Sequence, residues 1–138
     1  MTRAKHMEAQ MKIVYLLALG ALAGCAPEPP SGAQLFAENC TACHGVDGTG
    51  TGWVAAGLER KPANLTTLSA RNGGVFPMER VLSTIDGFHR NPEFETAMPE
   101  FGSWFGGPMD QIELDGVMTP VPQPLLAVAE YLRALQTE

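Results

Sequence analysis

The chain has 138 residues and a formal charge of −6, with 45% apolar residues. That length suits one domain, and the acidic balance, with no basic stripe, argues against a nucleic-acid partner. Three cysteines is an odd number, so at least one needs a role other than an internal disulfide.

Met11-Lys12 precedes an apolar run from Ile13 to about Ala23, followed by small residues. A basic start, a short apolar centre and a small-residue exit describe a secretory signal, and the run is too short to span a bilayer as a helix. Residues 1–24 are therefore expected to be a signal peptide. Translation can begin at Met1, Met7 or Met11, and residues 1–10 read as an upstream extension. Leu22-Ala23-Gly24-Cys25 resembles the lipobox of bacterial lipoproteins. That resemblance implies cleavage before Cys25 and acylation of its thiol. Ala26, rather than aspartate, follows, which favours the outer membrane. Ordinary cleavage nearby with Cys25 as a spare thiol is the competing reading. Ala26 to Ser31 holds three prolines and reads as an extended spacer, so residues 25–31 are a lipidated tether and residues 32–138 the domain.

Ser31 is a candidate N-cap for a helix from Gly32 to His44, with Leu35, Phe36 and Cys40 at helical spacing and Gly45 at its end. A glycine-rich loop, 45–57, follows. Lys61 to Thr66 ends that loop and is expected to open a short helical turn. Glu79 to Ile85 is the next helix, stopped by Asp86-Gly87. Residues 103–122 hold glycine, proline and acidic residues without periodicity, and read as a loop of about twenty residues. The last helix opens near Pro124 and carries Leu125, Val128, Ala129, Leu132 and Leu135 as an apolar stripe, with Glu130 and Arg133 outside it. No stretch alternates polar and apolar long enough to argue for a sheet. A few short helices bury little apolar surface alone, so a large apolar body is expected to complete the core.

Cys40-Thr41-Ala42-Cys43-His44 is the chemical centre of the sequence. Residues three and four apart share a helix face, so both thiols and the imidazole project together. C-x-x-C-H is the spacing of haem attachment. A dithiol redox pair and half of a zinc site are the alternatives. The first wants a preceding strand and the second more cysteines, and neither is evident. Haem attachment through Cys40 and Cys43 also leaves Cys25 for lipid and uses all three cysteines.

The wider pattern resembles class I monohaem cytochromes c. Gly32-x-x-Leu35-Phe36-x-x-x-Cys40-x-x-Cys43-His44-Gly45 is followed in family order by Asp47-Gly48-x-Gly50 and Pro62-x-Asn64-Leu65-Thr66. Ile85-x-x-Gly87, Met98-Pro99-x-Phe101-Gly102 and Tyr131-Leu132-x-x-Leu135 complete it. The resemblance implies an all-α fold wrapped around one covalent haem c, with Gly32 and Phe36 meeting the Tyr131 region. It implies His44 and Met98 as the iron ligands. His89 is the rival for the distal position, Met78, Met109 and Met118 are further candidates, and the Pro62 carbonyl is a candidate acceptor for the His44 ring. Trp53, Trp104, Arg60 and Arg71 are candidates for reaching the propionates. Residues 103–122 are the departure from the family pattern. The implied activity is electron transfer, without catalysis, in a periplasmic, membrane-tethered protein. Its redox partners would belong to a respiratory or dehydrogenase chain and carry a basic docking surface. A haem-based sensor or small peroxidase with an open distal site is the alternative.

Overall fold

The computed structural model describes Arg3, His6, Met7 and residues 28–88 and 98–137. Cys25, the signal segment and His89 lie outside these.

The helix expected at Gly32 forms as two pieces: α1 (Gly32–Asn39) and α2 (Thr41–His44), with Cys40 between them at φ −116°. Ser31 caps α1 as expected, its hydroxyl accepting the Gln34 N–H at 3.2 Å. A 3₁₀ turn at Ala55–Gly57 and another at Leu65–Thr67 follow, the second capped by the Asn64 side chain. α3 (Leu68–Arg71) continues that turn and was not expected from the sequence. α4 (Met78–Asp86) ends on Gly87, whose φ of 100° is a left-handed conformation that glycine adopts without strain. α5 (Gln123–Ala134) closes the chain with Pro124 in its first turn.

The core is helical. α5 buries Leu125, Val128, Ala129 and Leu132 against Leu35 and Phe36 of α1 and Val81, Leu82 and Ile85 of α4. Each of these side chains other than Ala129 contributes roughly 1.5–3 kcal/mol on burial. α1 crosses α5 at Gly32, where a Cβ would lie 2.0 Å from the Ala127 carbonyl oxygen, so only glycine permits this approach. One turn on, the Phe36 and Tyr131 rings meet at a centroid separation of 5.3 Å, tilted by 48°. The expected meeting of Gly32 and Phe36 with the Tyr131 region is thus present.

Residues 103–122 depart from the expected loop. After a turn in which Phe105 stacks on Phe101, they form a β-hairpin of β1 (Met109–Leu114) and β2 (Val117–Pro122). Asp115 and Gly116 make the two-residue turn, both with positive φ (49° and 83°), as a type I′ turn requires. β1 does alternate: Asp110, Ile112 and Leu114 are half-buried, while Met109, Gln111 and Glu113 are exposed. In β2, Pro120 and Pro122 disguise the strand. Counting from the turn, both fall at non-hydrogen-bonded positions, where a missing N–H costs the ladder nothing. The hairpin adds Val121 to the helical core and leaves the helical character of the domain intact.

Candidate functional site

α1 and α2 carry the two thiols and the imidazole. Cys40 N–H still bonds to the Phe36 carbonyl (2.9 Å) and His44 N–H to the Cys40 carbonyl (2.9 Å), so the helical path continues through the break. Asn39 and Thr41 send their side chains back to the Leu35 and Ala37 carbonyls, both at 2.8 Å. Cys40 and Cys43 are therefore one turn apart, half-buried and not joined to each other.

Gly45, at φ 78°, turns the chain away from α2, and the loop beyond folds back to satisfy the helix's terminal carbonyls. Gly50 N–H reaches the His44 carbonyl at 2.8 Å, Gly52 N–H that of Cys43 at 3.1 Å, and Val54 N–H that of Ala42 at 3.1 Å. A Cβ at Gly52 would lie 2.2 Å from the Ala42 oxygen, so this return needs glycine.

The His44 ring is held by one specific bond: Nδ1–H donates to the Ala63 carbonyl at 3.0 Å. The acceptor is Ala63, not Pro62 as the sequence suggested. The shift by one residue follows from the loop: the Pro62 carbonyl faces Gly50, where a Cβ would sit 2.3 Å from it. Burial holds the His44 pKa below its ordinary value, against the opposing effect of the Ala63 bond. The ring is neutral at pH 7, with Nδ1 as donor and Nε2 as a lone-pair acceptor, the form in which imidazole binds a metal. Burial, and then the neighbouring Cys43, push the Cys40 thiol up to about 11. A protonated thiol of that kind is a poor redox nucleophile. Among the described residues no group of three or more His, Cys, Asp or Glu is placed to hold a metal ion.

Ala63 itself sits in a braced segment. Leu65 N–H bonds to the Gly48 carbonyl at 2.7 Å, and the Asn64 side chain accepts from the Thr66 N–H (2.9 Å) and hydroxyl (2.8 Å). Arg71, a candidate for propionates from the sequence, donates instead to the Asn64 and Thr67 carbonyls. Trp53 and Arg60 are exposed, and Trp104 stands edge-on to Phe101 at 5.4 Å.

Met98 is half-buried and packs on the same core cluster that Cys40 touches. The backbone just after it is tied to the end of α4: Phe101 N–H to the Ile85 carbonyl (3.0 Å) and Gly102 N–H to that of Asp86 (3.2 Å). A side chain at Gly102 would crowd the end of α4, since its Cβ would lie 2.8 Å from the Asp86 backbone oxygen. Of the other methionines, Met78 is half-buried at the start of α4, whereas Met109 and Met118 are each 59% exposed on the hairpin. What sequence reasoning missed is the bracing of Ala63 from the C-terminus, where Gln136 bonds to Leu65 and Ser69. No motif marks Gln136.

A protein-family model described as Cytochrome c matches residues 30–136. The chain belongs to the cytochrome c family. Neither the comparison with curated proteins nor that with solved structures found a match. Cytochromes c hold haem c covalently, with its iron, and transfer electrons through it; they are in general electron carriers. The donor set here suits that group: two thiols one turn apart, a neutral imidazole whose Nδ1 is bonded to Ala63, and a soft thioether on an anchored loop.

Proposed function

We propose that this cytochrome c is an exported electron carrier whose haem is attached through Cys40 and Cys43, with His44 and Met98 as its iron ligands. The observation that carries the reading is the bond from His44 Nδ1 to Ala63 on the same helical turn that presents both thiols. It fixes the tautomer and leaves Nε2 for the metal. When bound, the haem supplies a one-electron iron couple, and thioether ligation favours the reduced form. The chain's part is to attach the group, orient the imidazole and keep the methionine loop in place. With His44 and Met98 both bound, the iron would have no open position for a substrate.

The signal, the Leu22-Ala23-Gly24-Cys25 box and the proline-rich spacer support a periplasmic protein anchored by lipid on Cys25, with Ala26 favouring the outer membrane. A tether confines the carrier to a membrane surface and raises its effective concentration near membrane partners. The chain's negative charge suits respiratory or dehydrogenase partners with a basic docking surface.

Met98→Ala, expressed where c-type haem is matured, tests the ligand set. The expected product keeps its covalent haem, loses the methionine-to-iron charge-transfer absorption and gains rapid carbon monoxide binding. An unchanged spectrum removes Met98 from the site. Rapid carbon monoxide binding by the unmodified reduced protein would instead support the sensor or peroxidase reading. Cys25→Ser is expected to move the protein from the membrane to the soluble periplasmic fraction.

A further inference from the structure

Gln136 lies just past the end of α5, half-buried, and its amide makes three hydrogen bonds. Oε1 accepts the Ser69 N–H at 2.9 Å, while Nε2 donates to the Leu65 carbonyl and to the Leu132 carbonyl, each at 2.7 Å. Next to it, Thr137 N–H donates to the Thr66 carbonyl at 2.9 Å. The bonds to Ser69 and Leu65 join positions 67 and 71 residues apart. They tie the 3₁₀ turn Leu65–Thr67 and the start of α3 to a helix whose inner face is the core. That same turn begins two residues after Ala63, the acceptor of His44 Nδ1–H.

We propose that Gln136 is a positioning residue for the proximal histidine: it clamps the 65–69 segment to α5 and so holds the Ala63 carbonyl in line with the His44 ring. The inference rests on His44 being an iron ligand. The other braces near Ala63 are the packing of Leu65 and Leu68 on the core and hydrogen bonds that do not reach α5. The Gly48 carbonyl that receives Leu65 N–H belongs to the loop leaving His44, and Arg71 bonds within its own segment. Gln136 and Thr137 add directed hydrogen bonds between the acceptor's segment and the end of α5. The physical consequence runs through the ring. A firm Nδ1–H bond to a carbonyl makes the imidazole a stronger electron donor at Nε2, which favours oxidised iron. A loosened acceptor weakens that donation and raises the reduction potential.

The test uses the mature, haem-bearing protein. In Gln136→Leu, exchange of the His44 Nδ1 proton, followed by NMR in the reduced state, is expected to quicken roughly fivefold, as weakening by about one net hydrogen bond implies. The reduction potential is expected to move upward while the absorption spectrum keeps its native form. Gln136→Glu retains an acceptor for Ser69 and removes the donor to Leu65, so it should fall between wild type and Gln136→Leu. It also serves if the leucine variant does not mature. Glu130→Gln, which breaks the Glu130–Arg133 ion pair on the same helix, should leave both readouts unchanged. A Gln136→Leu or Gln136→Glu protein with a lower thermal midpoint but wild-type exchange and potential overturns the clamp. His44→Ala separates the two ideas: a native spectrum in that variant overturns the ligand assignment, whereas a lost native spectrum beside unchanged Gln136 readouts overturns the clamp alone.

Discussion

Gly32→Ala tests whether the crossing of α1 and α5 is set by the absence of one side chain. The added Cβ would sit 2.0 Å from the Ala127 oxygen, 2.6 Å from its carbonyl carbon and 3.0 Å from the Tyr131 Cβ. Two of these atoms are helix backbone and cannot swing aside. Ordinary contact begins near 3.4 Å, so the helices must separate by more than an ångström. A gap of about 0.5–1 Å already forfeits a quarter to a half of the dispersion energy of each facing pair. The pairs at risk include Phe36, Val128 and Ala129, which are 1%, 0% and 0% exposed. Alanine's better helix propensity returns at most about 1 kcal/mol, and less at the first helical position, whose N–H has no intrahelical partner. A net loss of about 3 kcal/mol follows, at the upper end of overpacking costs. With a urea slope of roughly 1–3 kcal/mol per molar, the unfolding midpoint of the haem-bearing protein should fall by roughly 1–3 M, with the slope unchanged. Haem absorbance and far-ultraviolet circular dichroism should report the same transition. A wild-type midpoint would refute the reasoning, because it would mean the two helices part without cost.

Ser31→Ala removes the hydroxyl that caps α1 and should lower stability by about 1 kcal/mol in the same urea assay. Gly116→Ala places a Cβ at φ 83° and should cost about 1–2 kcal/mol locally; amide exchange across Ile112 and Thr119 should quicken while the haem spectrum stays as it was. Asp47 accepts from the Thr49 N–H and hydroxyl, and these bonds hold its pKa below the ordinary 3.8. A carboxylate depressed in the folded state stabilises it above the unfolded pKa and loses that effect as pH falls through the folded one. Wild type should therefore exceed Asp47→Asn in midpoint at neutral pH, and the two should converge as the pH is brought well below 3.8. A gap that stays constant into acid would assign the effect to shape and not to charge.

Where one short-range rule decides the structure, the residues announce it. Ser31 and Gly87 mark helix ends, and the spacing of Leu125, Val128, Ala129 and Leu132 marks the face of α5 that is buried. The two cysteines and His44 are legible for the same reason: three and four residues on a helix are one side of it. The acceptor for His44 was read one residue early, because the choice between the Pro62 and Ala63 carbonyls is made by a long-range contact with Gly50 that no local pattern encodes. Gln136 was invisible for a similar reason: its partners are some seventy residues away. The hairpin is a different case. Its signals were present in Asp115-Gly116 and in the alternation of β1, but two prolines in β2 and exposed Met109, Val117 and Met118 hid the period.

That hairpin also explains how a departure from the family pattern coexists with a family match that runs straight through it. Gln123 N–H bonds to the Pro108 carbonyl at 2.9 Å, so the chain enters and leaves the hairpin at one place. An excursion with coincident ends can be added without moving what flanks it. The contacts that anchor the methionine loop, Phe101 to Ile85 and Gly102 to Asp86, are complete before residue 108 is reached. The buried face of α5 begins only at Leu125. The hairpin contributes Val121 to the core and lays Ile112 and Leu114 against it, which fixes its position without involving Cys40, Cys43, His44 or Met98 in its hydrogen bonds. The helical frame and the hairpin are thus joined through apolar packing, the Gln123–Pro108 backbone closure and the Gln123–Asp110 side-chain bond, and selection can alter the outer face of the hairpin while the donors on α1, α2 and the methionine loop keep their support.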